Sequence, residues 1–191
     1  MSGLTFNEAG HQYMLDGVEL PSVTQVLGPY ESWSSVPAAM LEAARDRGHR
    51  VHAACALDLL GTLDDDTVDD EVAPYLAQFR RFLVESRFEA VLSEHRVWSA
   101  KLGYAGTLDL YGDLPNAKSA LLDIKSGSLP RSVGPQTAAY ARALNESAGM
   151  VTRSRWCLLL TPEKYALKRF DDPRDEKIFL AALLLHQWRM T

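Results

Sequence analysis

Cysteine is scarce in this chain. Cys55 and Cys157 are the two in 191 residues, far apart and outside any C-x-x-C pair. A structural zinc site or an iron–sulfur cluster takes about four ligands, usually cysteines, so neither is expected. No run of about 18 apolar residues occurs, which leaves no candidate membrane span. The opening Met1-Ser-Gly-Leu-Thr lacks the charged and apolar regions of a secretory signal. A cytoplasmic protein is therefore expected. Internal repeats and linker-like stretches are also missing, and 191 residues read most economically as one domain, 1–191.

A basic excess is missing too: the formal net charge is −5. Its distribution matters more than its sum. Residues 58–71 hold seven acids (Asp58, Asp64, Asp65, Asp66, Asp69, Asp70, Glu71) and no base. Residues 101–170 hold ten bases against five acids. The second half therefore suits a phosphate-binding surface. The acidic stretch lacks the D-x-[DN]-x-[DN]-G spacing of a calcium loop and reads as a mobile loop or the acid-rich first turn of the next helix. With 47% hydrophobic and 24% charged residues, the whole is an ordinary globular composition.

What is present centres on Gly103–Tyr140. Thr107-Leu-Asp-Leu-Tyr111 alternates as a strand, broken by Gly112 and by a turn at Pro115-Asn116, and Ser119–Lys125 forms a second run. The pair predicts a hairpin. Asp123 and Lys125 are two apart, so both side chains share one strand face and Ile124 takes the other. Carboxylates on two neighbouring strands, with an ammonium beside one, can hold a divalent cation and face an oxyanion, as in metal-assisted phosphodiester cleavage.

Around this hairpin the pattern predicts, for 1–36, small strands over Leu4–Leu20 and a short helix opened by a Ser22/Gln25 capping box. His11 and Tyr13 read first as a buried hairpin face, and the segment through Trp33 to Val36 as loop. A long helix over 37–60 takes Ala38, Leu41, Ala44, Val51, Ala54 and Cys55 near helical spacing and carries His49 and His52 on roughly one face. Arg45, Arg47 and Arg50 on it read as a solvated face, with phosphate contact as the alternative. A helix over Pro74–Phe88 and a strand over Ala90–Ala100 follow, the strand bearing Glu94. For Glu94, a catalytic place and a salt bridge with Lys or Arg stand equal. Pro135 opens a helix ended by Gly149, with Gln136 and Tyr140 four apart on one face. Arg131 lies in the glycine-containing loop before it. A buried strand over Arg155–Thr161, a strand over Tyr165–Phe170 and a closing helix over Asp175–Trp188 complete the chain, 90–170 being the sheet core.

In order, His52, Asp109, Asp123-Ile124-Lys125 and Gln136-Thr-Ala-Ala-Tyr140 resemble the signature of the PD-(D/E)XK nuclease superfamily. They are most similar to the branch of RecB-type nuclease domains, Cas4-like proteins and phage exonucleases, over about residues 40–145. The resemblance implies an α/β fold with a restriction-endonuclease-like core, a mixed central β-sheet flanked by helices on both faces. It implies Mg²⁺ or Mn²⁺ on His52, Asp109, Asp123 and the Ile124 carbonyl, with Lys125 and Glu94 as further catalytic groups. Gln136, Tyr140 and Arg131 would position DNA. The iron–sulfur cluster of many Cas4-like proteins is not expected, for want of cysteines.

The implied activity is a divalent-metal-dependent DNA nuclease, favoured as an exonuclease on duplex ends in recombination, repair or phage replication. The alternatives are a structure-selective endonuclease and a non-catalytic DNA-binding or assembly subunit. Partners would be DNA and a single-strand annealing or recombination protein, in the host cytoplasm for a phage-encoded chain. The motif set is compatible with a ring-forming oligomer and with a monomer.

Overall fold

The computed structural model describes residues 3–7, 10–31 and 36–190. The expected loop around Trp33 lies outside the described residues. Three short strands, β1 (Leu4–Asn7), β2 (Gln12–Leu15) and β3 (Val18–Leu20), form an antiparallel sheet. Tyr13, Leu15 and Leu20 bury its inner face against Ala105. Helix α1 (Val23–Leu27) then starts on the expected capping box. Ser22 Oγ accepts from the Gln25 amide at 3.0 Å, and Gln25 Oε1 accepts from the Ser22 amide at 2.8 Å. Two of the helix's orphan donors are thereby satisfied.

The remaining order is α2 (Ala38–Leu59), α3 (Ala73–Ser86), β4 (Glu89–Ser99), β5 (Tyr104–Leu114), β6 (Ala117–Ser126), α4 (Val133–Ala148), β7 (Ser154–Leu160), β8 (Tyr165–Phe170) and α5 (Asp175–Met190). The five later strands form one sheet in sequential order. Neighbours are antiparallel except β6 and β7, which α4 joins in parallel. A parallel pair needs such a crossover. On one face α2 and α3 pack Val51, Cys55, Phe79 and Phe82 onto Leu110, Leu122, Ile124 and Leu158. On the other, α1, α4 and α5 pack Val26, Tyr140, Leu144 and Phe179 onto Val97, Leu108 and Leu121. The mixed sheet with helices on both faces matches the sequence expectation.

Four local expectations are corrected. Strand β5 runs through Gly112 to Leu114 rather than stopping there. A Cβ at Gly112 would lie 2.1 Å from the Glu89 carbonyl oxygen, so the glycine allows β4 and β5 to touch and does not end the strand. Helix α4 begins at Val133, two residues before Pro135. Within α2 only Val51, Ala54 and Cys55 are buried, because the first turns, with Met40, extend past the core. Finally, the acidic stretch is tied down by arginines. Arg50 pairs with Asp69 and Glu71, each at 2.6 Å, and Arg80 pairs with Asp58 and Asp65, each at 2.6 Å. Arg47 reaches Glu71 at 3.5 Å. Arg47 and Arg50 are thus engaged within the chain.

Candidate active site

Glu94 and Asp109 face each other across the β4–β5 ladder, flanked by the pairs Ser93↔Leu110 and His95↔Leu108. Both strands change face here. Leu92 and Val97 are five apart, and Leu108 and Tyr111 three apart, yet all four enter the α4-side cluster, while Leu110 enters the α2-side one. Regular alternation sends odd separations to opposite faces. Glu94 has φ +46°, a left-handed conformation uncommon outside glycine. The slip therefore falls on the residue that carries the carboxylate.

Beside this point β5 and β6 part. Their pairing runs from Leu114↔Ala117 to Leu110↔Leu122. The next β6 amide toward the strand's C-terminal end that the site uses, that of Ile124, donates to Asp109 Oδ2 at 2.6 Å. On β6, Asp123 and Lys125 share the face away from Ile124, and Lys125 Nζ lies 2.7 Å from Asp123 Oδ2. Asp123 is 1% exposed, and neither of its oxygens has a hydrogen-bond partner. The Lys125 contact is thus an ion pair outside hydrogen-bonding geometry.

His52 enters from α2. Its Nε2 is 3.0 Å from the Ile124 carbonyl; a carbonyl only accepts, so Nε2 donates. That fixes the ring and turns Nδ1 toward Asp109 Oδ1 at 3.4 Å and Glu94 Oε1 at 3.8 Å. The Ile124 carbonyl is therefore engaged in orienting His52. Glu94 has His52 as its ionic neighbour, where the bland expectation was Lys or Arg.

Electrostatics follow from this crowding. Burial opposes a charge on His52, but Asp109 and Glu94 hold its pKa up at about 10. Burial pushes Asp123 up to about 6 against the pull of Lys125, and raises Glu94. Burial would lower Lys125, yet Asp123 and Asp109 keep it raised and protonated. Asp109 is lowered despite burial, by His52 first and then Lys125.

The ligand atoms of His52, Glu94 and Asp109 all lie within 4.8 Å of one another. Two carboxylates and an imidazole could hold a divalent metal ion. The buried Asp123 carboxylate, short of donors, fits a cation as well. Asp123 stands next to the three-residue cluster, and Glu94, expected as a catalytic group, stands in it.

Gln136 Nε2 donates to Tyr140 OH at 3.2 Å, and both residues are buried on α4. The Tyr140 ring lies against Gly106, where a Cβ would sit 2.6 Å from Tyr140 Cε1. Arg131 is exposed between β6 and α4 and takes no part in the cluster. Sequence reasoning missed Gly106 and Thr107, which accommodate Tyr140 and pair with Tyr13 OH at 2.8 Å. A glycine inside an alternating strand is a signal for close approach, and it was available at Gly106. Of the expected buried hairpin face, Tyr13 is buried, whereas His11 is exposed.

No family profile matches the sequence, and no curated protein matches it. Among solved structures, the chain is similar to a Eubacterium rectale protein with a provisional exonuclease designation, at 12% identity and a TM-score of 0.54. The match covers 75% of this chain and 65% of that one, so this chain spans just under two thirds of its length. It is also similar to an alkaline exonuclease from Laribacter hongkongensis, at 13% identity, a TM-score of 0.42 and 86% of each chain. The first of these establishes a shared fold: a mixed α/β core with helices on both faces of the sheet.

Proposed function

We propose that the protein is a divalent-metal-dependent DNA nuclease of the PD-(D/E)XK type, acting as an exonuclease on duplex ends. The observation that carries this reading is the juxtaposition at the β5–β6 split. A His52–Glu94–Asp109 cluster lies beside the buried Asp123 and its half-buried partner Lys125, at 4.8 Å or less within the cluster and 2.7 Å within the pair. The exonuclease designation of the Eubacterium rectale neighbour is in keeping with the exonuclease form.

Asp109, Glu94, His52 and Asp123 would hold the cation. Such an ion polarises a phosphoryl oxygen and lowers the pKa of a water. The chain's own residues do the rest. Asp123 keeps Lys125 protonated, so Lys125 serves as a fixed cation opposite charge developing on the phosphoryl oxygens. The Ile124 backbone works from both ends: its amide holds Asp109 and its carbonyl holds His52. Asp109 and His52 are therefore preorganised by the backbone of one residue. Tyr140, held by Gln136, is raised by burial and by the nearby Asp123 and Asp109 carboxylates. A neutral hydroxyl there can donate to substrate or water.

The test uses purified protein with end-labelled linear duplex and covalently closed circular duplex, in Mg²⁺, Mn²⁺ or EDTA. Linear DNA should shorten from its ends, the circle should survive, and EDTA should stop the reaction. Nicking of the circle would replace the exonuclease form with the endonuclease one. No cleavage of either DNA in either metal would overturn the nuclease reading.

A further inference from the structure

Helix α5 is apolar on two sides. Phe179, Ala182 and Leu183 bury one side in the core. On the opposite side Ile178 is 50% exposed, Leu184 68%, Leu185 45% and Trp188 72%, with Ala181 exposed between them. A helix apolar all round is normally covered all round. Ile178, Ala181, Leu185 and Trp188 also follow a 3-4-3 spacing, the a/d seam of paired helices.

Scaled by exposure, these five side chains present on the order of 500 Å² of apolar surface. That is at the upper end of the roughly 300–600 Å² found as the largest patch on monomers. A standard interface takes about 800 Å² per partner. The five side chains thus supply well over half of that, and Lys177 and Arg189, flanking the seam, supply a polar rim. Shape selects the partner. In an antiparallel two-fold pairing centred near Leu183, small Ala181 meets the partner's Leu185, and Ile178 meets the partner's Trp188. A parallel pairing would set Ala181 on Ala181 and Trp188 on Trp188, leaving a gap and a clash. The seam is therefore self-complementary in one orientation, as an isologous interface requires.

We propose that this face of α5 binds a second copy of the chain, forming a two-fold dimer through antiparallel α5 helices. The inference does not depend on the nuclease reading. Sedimentation equilibrium should show a monomer–dimer equilibrium with Kd on the order of micromolar. Leu185→Glu and Trp188→Glu should each weaken it by tenfold or more while circular dichroism stays unchanged. Val84→Glu, at another exposed apolar position on α3, should leave it unaltered. In a double variant, Ala181→Cys with Leu185→Cys, oxidation should give a covalent dimer, because the native Cys55 and Cys157 are buried. Ala181→Cys alone should not. A wild type that stays monomeric at about 100 μM, well above such a Kd, would overturn the proposal. So would an oligomer that survives Leu185→Glu, or cross-linking through Ala181→Cys alone.

Discussion

The Ile124 amide donates to Asp109 Oδ2 at 2.6 Å, at the point where β5 and β6 cease to pair. The carboxylate thus replaces a ladder acceptor and is held by the strand that carries Asp123 and Lys125. Asp109→Asn keeps an acceptor and loses the charge, whereas Asp109→Ala loses both. Both variants should cut DNA about 10²–10³-fold more slowly. Only Asp109→Ala should also lose stability, by about 1–3 kcal/mol for the orphaned amide. Urea unfolding beside an end-labelled nuclease assay separates the two effects. Wild-type cleavage by Asp109→Asn would reduce the residue to a structural role.

Glu94 poses an opposite trade. Its φ of +46° is a strained setting for a residue with a Cβ, costing about 1–3 kcal/mol. Glu94→Gly should therefore raise the melting temperature of the metal-free protein while weakening Mn²⁺ binding at least tenfold. Glu94→Gln should weaken binding without the gain in stability. A drop in stability for the glycine variant would mean that the left-handed backbone carries no strain.

Removing Lys125 strands a buried carboxylate. Asp123 already sits at about 6, so the folded state binds a proton more readily than the unfolded one. The sign follows: stability from this group is present below the unfolded value of about 4 and is lost as pH rises through the folded value. In Lys125→Ala the folded value should climb further and widen the window of loss. The variant should be destabilised most at pH 8 and least at pH 5, by urea denaturation. A penalty equal at both pH values would place its cause elsewhere than Asp123.

His52 links metal choice to pH. An imidazole favours Mn²⁺ over Mg²⁺, and here a cation must displace a proton held at about 10. Metal affinity should therefore rise with pH between 6.5 and 8.5, by up to about tenfold per unit for one proton released. His52→Ala should flatten that slope and lose more affinity for Mn²⁺ than for Mg²⁺. His49→Ala, exposed one turn away on α2, should do neither. Calorimetric titrations at the two pH values decide it. Equal slopes in the wild type and His52→Ala would remove His52 from the metal site.

Local patterns revealed much of this fold, because local physics fixes those parts. The Ser22 cap, the Asp123/Lys125 shared face and the Gly149 helix end each depend on a few adjacent residues. What escaped is tertiary. The pairing of Arg50 with Asp69 and Glu71 spans about twenty residues and leaves no periodic trace. Gly112 carries the ordinary mark of a strand break, and only the approach of Glu89 shows why the strand continues. The place of Glu94 depended on a backbone slip that alternation alone misreads, since the rule assumes an unbroken pleat.

That slip also bears on how the chain could be rebuilt. On either side of Glu94 and Asp109 the inside–outside alternation is out of phase, and the chemistry occupies the boundary. Removing or adding one residue between Leu92 and Val97 would restore the phase on β4 alone and set its two halves at odds with β5. Length changes should be borne instead at the Pro115–Asn116 turn, on the far side of the hairpin from the boundary. A chain of this design is thus free to vary in its turns and confined in the count of residues along two strands.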